Sequence, residues 1–479
     1  MTTIKILIYT DKNEIALTRS PLNWNLTILA NALTNMETPF FEYEVTVINR
    51  FASFDGSATE PEPVRLTTEL LQGFDEVWFM GIYQQKETVF SAGYGGPKNE
   101  LDEQEVTALE QWMNNGFGGV LITGDHADIR NGHPSDPVED QLAMGRALGI
   151  NVPRAGQLRI WQGPPAFAEA FAFNTVGSGP LQPAQDDAVP QRLLFDQVDA
   201  RGIPHELFWG TDAQGKDRFI DVFPDHQHEG GLRIAEPDEK WPPFNAPAGT
   251  VKPKAISIAS GMNSRPGGVR ESVLAVYNGD DLGVGRIVAD SSFHHYLDVN
   301  LKGFQASPDQ TVLQLITQFY RNLAFYLIPL AKRQTIAKAM FKRIAAHPAV
   351  LEERSNGSEG MGRVAKRYLS QVATPIELNE MVHILLPPVV RADGGNAFLP
   401  EAFLNNSLPS QELVLGSMIA RELRVVPGAD SVAAEMAINP RAATNPYAAG
   451  LKDAFQSHTE RLKKIAAENH NFLALLSKT

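Results

Sequence analysis

The chain has 479 residues, more than one compact core usually holds, so its length predicts at least two domains. Hydrophobic residues make up 43% and charged residues 20%, which excludes wholesale disorder, and the absence of cysteine excludes disulfides, thiolate metal ligands and a cysteine nucleophile. A formal net charge of −14 argues against nucleic acid or an anionic membrane as the main partner.

The first residues, MTTIKILIYTD, enter a strand-like run at once instead of forming the long apolar stretch of a signal peptide. No uninterrupted apolar run reaches the length that spans a bilayer. We therefore expect a cytoplasmic protein without a membrane partner.

Residues 1–126 alternate between strand-like and helix-like segments. Such alternation predicts parallel βαβ units, and so an α/β fold with a doubly wound, mostly parallel, flavodoxin-like sheet. In sheets of this kind ligands gather at the carboxyl ends of the strands. The expected strands lie at 4–10, 43–49, 74–83 and 118–126, and the expected helices at 21–35, 66–72 and 101–115, with Gly116 just past the end of the last.

The pattern loosens in the middle of the chain and changes again near its end. Residues 151–250, rich in Pro, Gly and acidic residues, are interpreted as an inserted irregular region or cap within a first domain, 1–330. Residues 331–479 are mostly helical in pattern and are interpreted as a separate helical domain or extension. Strands are expected at 205–211, 218–224, 254–260 and 271–278, a further strand within 285–300, and a long apolar helix at about 310–330.

Polar residues follow the fourth strand directly, in the stretch GVLITGDHADIRNGHP. The imidazole of His126 titrates near neutrality, so it suits a general acid, a general base or a metal ligand. Asp125 or Asp128 is near enough in sequence to orient it. The alternative is a polar loop in which Asp128 caps a helix and His126 is hydrogen-bonded but inert.

A second candidate is the strand end ADSSFHHYLD, which carries two adjacent histidines. Their side chains should diverge, so that one faces the site while the other packs or supports it. The residues alone do not decide which of His294 and His295 faces the site, and Asp290 and Asp298 are possible orienting carboxylates of lower rank.

A third candidate is PDHQHEGG, in which His226 and His228 share one face if the segment is extended. Such a pair could hold a divalent metal such as zinc, together with His126 and His294, although an exposed polar loop explains the same letters. The glycine-rich stretch SAGYGGPKNE has neither the Walker nor the dinucleotide-binding spacing and so predicts no phosphate site.

The stretches IKILIYT, FDEVWFMG, GGVLITGDH and GVGRIVADSSFHH together resemble the class I glutamine amidotransferase-like superfamily, nearest the trehalose-utilisation (ThuA-like) proteins. Those proteins commonly carry Gly-Ile-His where this chain has Gly124-Asp125-His126. They also carry a late Gly-Arg-Val strand with a His soon after it, and here Gly285-Arg286-Ile287 leads to His294. The resemblance covers about residues 1–330 and implies His126 and His294 as site residues, which leaves His295 to pack or to support His294.

Two functions remain open at this point. The first is an enzyme that acts on a small polar substrate by hydrolysis or proton transfer, with carbohydrate suggested by the resemblance; without cysteine it is not a glutaminase. The second is a non-catalytic ligand-binding or assembly module whose helical C-terminal region binds a partner or a second copy of the chain. The basic residues of that region suit an anionic partner or, more simply, a solvated helix face; they are Lys332, Arg333, Lys338, Lys342 and Arg343.

Overall fold

We describe a computed structural model of the chain. The residues described are 1–10, 25–35, 38–50, 64–80, 103–123, 171–174, 186–198, 202–212, 217–225, 231–234, 255–262, 270–353 and 357–385, with Leu415 and Ile419. They fall into two compact units, one of Met1–Glu37 and Phe41–Leu330, the other of Thr38–Phe40 and Ala331–Thr479.

The strands are β1 (Thr2–Thr10), β2 (Phe41–Asn49), β3 (Glu76–Met80), β4 (Gly119–Thr123), β5 (Phe171–Asn174), β6 (Pro190–Arg192), β7 (Leu194–Phe195), β8 (Trp209–Thr211), β9 (Asp217–Phe219), β10 (Val222–Pro224), β11 (Gly231–Ile234), β12 (Ile256–Met262), β13 (Arg270–Asn278) and β14 (Arg286–Asp290). The helices are α1 (Thr27–Thr34), α2 (Thr68–Leu71), α3 (Glu103–Asn114), α4 (Asp298–Ala306), α5 (Thr311–Leu327), α6 (Leu330–Ala345), α7 (Pro348–Glu352), α8 (Gly357–Val372) and α9 (Pro375–Leu385). Short 3₁₀ turns lie at Glu206–Phe208, Asp280–Leu282 and Phe293–Tyr296.

The first unit contains a large mixed sheet in the order β2-β1-β3-β4-β14-β13-β11-β5, with β12 and β7 paired beside β13. The five strands from β2 to β14 are parallel. Strands β3 and β4 are buried along their whole length, which explains their nearly continuous apolar sequences. The α/β fold predicted from the sequence is confirmed.

Beyond β14 the sheet becomes antiparallel, a change that the strand pattern did not predict. Strand β13 runs antiparallel to β14 and to β12, and β11 antiparallel to β13 and β5. The reason lies in the connections, because only residues 263–269 join β12 to β13 and only 279–285 join β13 to β14. A parallel crossover needs a dozen or more residues, so these neighbours must reverse direction.

Within 186–225 the predicted strands are shorter than expected. The stretch predicted as a strand at 205–211 begins with the 3₁₀ turn Glu206–Phe208, and only β8 is extended. The stretch predicted at 218–224 is divided into β9, which pairs with β8, and β10, which pairs with β6. Strands of three residues are too short to show the alternation of apolar and polar residues by which a sequence identifies a strand.

Helix α5 is the long apolar helix expected near 310–330, and it ends at Leu327 with Pro329 two residues further on, as a proline requires. It contacts β14 and β4. Apolar residues three or four positions apart form one face of this helix: Leu313 is half-buried, and Ile316, Phe319, Leu323 and Leu327 are buried. Each such side chain contributes about 1.5–3 kcal/mol when it is buried.

Glycines let β4 and β14 approach their neighbours closely at the amino end of the sheet. Gly285 has φ +79°, and a Cβ there would lie 2.3 Å from the carbonyl oxygen of Gly118. A Cβ at Gly119 would lie 2.3 Å from the carbonyl oxygen of Leu327. These contacts explain Gly119 of GGVLIT and Gly285 of GVGRIV without any role in chemistry.

The described helices of the second unit, α6 to α9, include a buried ion pair. The Arg333 guanidinium donates to Glu380 Oε2 at 2.6 Å, and the two side chains are 1% and 4% exposed. Arg333 therefore does not belong to a solvated basic face, whereas Lys338 and Lys342 are exposed. None of the described helices is both long and apolar enough to cross a membrane.

Candidate acid–base site

The candidate site lies where β14 ends. Because β4 and β14 are parallel, their carboxyl ends meet at one edge of the sheet, and Thr123 pairs in register with Asp290. Two local hydrogen bonds then bend the chain: Asp290 Oδ1 accepts from the Ser292 backbone amide, and Ser292 Oγ accepts from that of His294. The resulting 3₁₀ turn brings His295 back over Asp290.

Asp290 and His295 form a buried pair. His295 Nδ1 lies 2.7 Å from Asp290 Oδ1, and the two side chains are 1% and 0% exposed. The carboxylate can only accept, so the shared proton belongs to Nδ1 and, in the neutral ring, Nε2 carries the lone pair. The carboxylate thus fixes both the orientation and the tautomer of the imidazole.

The other ring nitrogen of His295 has no hydrogen-bond partner among the residues that the structure describes. Nε2 is buried, and the ring contacts Phe223 with centroids 5.0 Å apart. A buried polar atom without a partner costs about 1–3 kcal/mol, so its presence calls for an explanation such as a bound water or ligand. What the arrangement offers chemically is an oriented proton acceptor.

Two buried tyrosines complete the surroundings of Asp290. The hydroxyl of Tyr296 donates to Asp290 Oδ2 at 2.8 Å, and the hydroxyl of Tyr320 donates to the backbone carbonyl of His295. Burial, and then the charge of Asp290, raises the pKa of both phenols well above the usual value. Both hydroxyls therefore remain protonated donors at physiological pH.

The neighbouring histidine has different contacts. His294 Nδ1 lies 3.2 Å from Asn300 Oδ1, and the side chain is 2% exposed. Asp298 does not orient either histidine, because its carboxylate accepts the backbone amides of Thr27 and Ile28 at the start of α1. The structure thus places the carboxylate-bound histidine one position later than the resemblance implied.

The remaining predicted site residues, Asp125, His126, Asp128, His226 and His228, lie outside the described residues, and so does the glycine-rich stretch at 91–100. Their roles stay predictions. Within the part of the chain that is described, no three histidine or acidic side chains group closely enough to hold a metal ion.

A second buried polar cluster, which we call the Glu105 cluster, lies at the carboxyl ends of β1 and β2. Glu105 Oε1 accepts from the Tyr9 hydroxyl at 2.9 Å and from the Leu66 amide at 3.1 Å, and Oε2 accepts from the Arg50 guanidinium. Glu105 and Arg50 are 0% and 2% exposed. The cluster holds the start of α3 against the ends of β1 and β2. Nothing in the local sequence predicts the Arg50–Glu105 pair, because the two residues are 55 positions apart.

The carboxyl group of Asp225 has a raised pKa. Partial burial, and then the negative charge of Asp187, raises the pKa of Asp225 from 3.8 to about 6. Asp225 is therefore partly protonated in mildly acidic solution.

The comparisons with known proteins add little. No protein-family model matches the sequence, and no curated protein matches it. A solved structure titled "mmIFT52 N-terminal domain" aligns with 67% of this chain and 97% of its own chain, at 11% identity and a TM-score of 0.31.

Proposed function

We propose that the protein is an enzyme that acts on a small polar substrate by hydrolysis or proton transfer, with His295 as the general base. One observation carries the proposal: the buried Asp290–His295 pair presents Nε2, which has no hydrogen-bond partner among the described residues, at the carboxyl edge of a parallel sheet. Ligands of open α/β sheets bind at this edge. The order of the five parallel strands, 2-1-3-4-5 in chain order, also supports a flavodoxin-like sheet of the amidotransferase-like kind.

In this mechanism Nε2 takes a proton from water or from the substrate. For hydrolysis, the water oxygen attacks the electrophilic carbon while its proton passes to Nε2, and the imidazolium then gives that proton to the leaving group. The Asp290 carboxylate accepts from Nδ1 throughout and stabilises the imidazolium while it exists. For simple proton transfer, the same nitrogen removes a proton from carbon and returns it.

His126 is the proposed second group, with Asp125 or Asp128 to orient it. Thr123 is the register partner of Asp290, and three residues of extended chain span at most about 11 Å. His126 is therefore within chain reach of the Asp290 edge. The resemblance to ThuA-like proteins makes carbohydrates the first substrates to try, although fold alone does not fix function.

A divalent metal such as zinc remains part of the proposal, with His126, His294, His226 and His228 as the proposed ligands. Its test is the metal content of protein purified without a histidine tag, measured by inductively coupled plasma mass spectrometry. Near-stoichiometric zinc, iron or manganese supports metal-assisted hydrolysis, whereas protein that stays metal-free after incubation with these ions supports acid–base chemistry alone.

The second candidate is a non-catalytic ligand-binding or assembly module, and burial favours it. The side chains of His294 and His295 are 2% and 1% exposed, which suits a structural pair as well as a sheltered active site. Such a module would bind its partner, or a second copy of the chain, through the helical C-terminal region. Light scattering on the full chain measures the oligomeric state directly, and a monomer would remove the second copy from this candidate.

The test of the enzyme proposal begins with a panel of p-nitrophenyl esters and glycosides, supplemented by sugars whose carbon-bound protons are followed by NMR in D₂O. On any substrate turned over by the wild type, His295→Gln should lower turnover by about 10²–10⁴-fold, the usual contribution of a general base. Circular dichroism and thermal melting establish that the variant is folded. A folded His295→Gln protein with wild-type turnover would refute the proposed role, and absence of any turnover across the panel would favour the module.

A further inference from the structure

We infer that Tyr296 is a positioning residue: its hydroxyl fixes the Asp290 carboxylate, which in turn holds His295 in the Nδ1–H tautomer with Nε2 as the acceptor. The catalytic meaning of this inference rests on the proposed function. The geometry itself is measurable without any substrate.

The carboxyl group of an aspartate can turn about its terminal bond. The terminal torsion of an aspartate is broad, so one hydrogen bond does not fix the plane of the carboxylate. Asp290 is held from both oxygens: the Ser292 amide and His295 Nδ1 donate to Oδ1, and Tyr296 donates to Oδ2. Without the phenol, the carboxylate could turn about its bond and exchange the oxygen that faces His295.

The phenol is itself held in place by aromatic packing. The ring of Tyr296 lies between those of Trp78 and Tyr320, with centroids 6.4 and 5.4 Å away. Its side chain has no exposed surface. A ring confined in this way directs its hydroxyl along one line, so it can impose an orientation on the carboxylate.

Tyr320 provides a matched control. It is also buried and packs against Tyr296, but its hydroxyl donates to the backbone carbonyl of His295 and not to the carboxylate. Replacement by phenylalanine removes one buried hydroxyl in either case. Only Tyr296→Phe removes a donor to Asp290, so a purely structural effect should appear in both variants and a positioning effect in one.

The experiment uses the full chain labelled with ¹⁵N-histidine, with His295→Gln to assign the imidazole signals. In the wild type, His295 should show a single tautomer and a slowly exchanging Nδ1–H proton. In Tyr296→Phe, that proton should exchange about tenfold faster, because the carboxylate that accepts it has lost one of its hydrogen bonds, while Tyr320→Phe keeps the wild-type signals. Identical His295 signals in Tyr296→Phe and the wild type, or equal changes in both variants, would overturn the inference.

If Tyr296→Phe does not fold, fluorotyrosine replaces it as the probe. In a Tyr320→Phe background, global incorporation of 3-fluorotyrosine makes the Tyr296 phenol a stronger donor, and the Nδ1–H resonance of His295 should move; a resonance that stays in place contradicts the inference. Failure of the proposed function is distinguishable, because in that case His295→Gln keeps full turnover while the NMR result for Tyr296 stands.

Discussion

The Glu105 cluster and the Asp290 cluster are built alike and differ in one respect. In each, a buried carboxylate accepts from a tyrosine hydroxyl, a backbone amide and a basic side chain. The basic side chain is Arg50 in the first and His295 in the second. Arginine only donates hydrogen bonds, whereas a neutral histidine ring also carries an acceptor nitrogen. A buried carboxylate with these donors therefore occurs both in a structural cluster and in a candidate active site. The basic side chain beside the carboxylate is what distinguishes the two.

Asp290→Asn should have the largest effect on turnover. The amide keeps the size of the carboxylate but can donate to His295 Nδ1, which would place the ring proton on Nε2 and remove the acceptor. We expect a loss of about 10²–10⁴-fold in turnover on the substrate found for the wild type. Thermal melting of the variant provides the control for folding. Wild-type turnover by a folded Asp290→Asn protein would contradict the chemical role of the Asp290 cluster.

Glu105→Ala should have the largest effect on stability. It leaves the Arg50 guanidinium buried without its carboxylate, which costs about 3–5 kcal/mol. Chemical denaturation measures this loss in the free energy of unfolding. Turnover per folded molecule should stay at the wild-type level, and a specific loss of turnover would mean that the two clusters are not divided between structure and chemistry.

Arg50→Lys tests whether the Glu105 cluster needs the shape of arginine or only its charge. Lysine keeps the charge but lacks the planar fork, so one or more buried hydrogen bonds should be lost, at a cost of about 1–3 kcal/mol. The measurement is again denaturant unfolding. An effect as large as that of Glu105→Ala would show that charge compensation is not what stabilises the cluster.

Asp225→Asn should have the smallest effect, and it depends on pH. The folded protein holds the Asp225 proton more tightly than the unfolded chain, because the pKa is raised from 3.8 to about 6. The stability from this group is therefore complete below pH about 4 and is lost as the pH rises through about 6. Asparagine mimics the protonated form. The variant should therefore have a slightly higher melting temperature than the wild type at pH 8, and the same melting temperature at pH 4. A difference that does not vary with pH would contradict the raised pKa.

The sequence predicted the fold better than the site. Strands β1 and β2 lie within two residues of their predicted positions, because β1 carries the apolar run of a buried strand and β2 is rich in β-branched and aromatic residues. The Glu105 cluster could not be predicted, since its partners are brought together only by the folded sheet. The sequence did contain one signal for His295. Two serines, Ser291 and Ser292, directly follow Asp290 at the end of β14, and serine favours a turn that bends the chain back toward the strand end. The resemblance directed attention to His294 instead.

The central claim is that the proton acceptor is His295 and not its neighbour. The most direct test is the ratio of turnover of His294→Gln to that of His295→Gln, each expressed per folded molecule on one substrate. For the metal-free protein we predict a ratio of about 100 or more, because Nδ1 of His295 faces the Asp290 carboxylate whereas Nδ1 of His294 faces the amide oxygen of Asn300. A ratio near one, with both variants active or both inactive, would contradict the assignment.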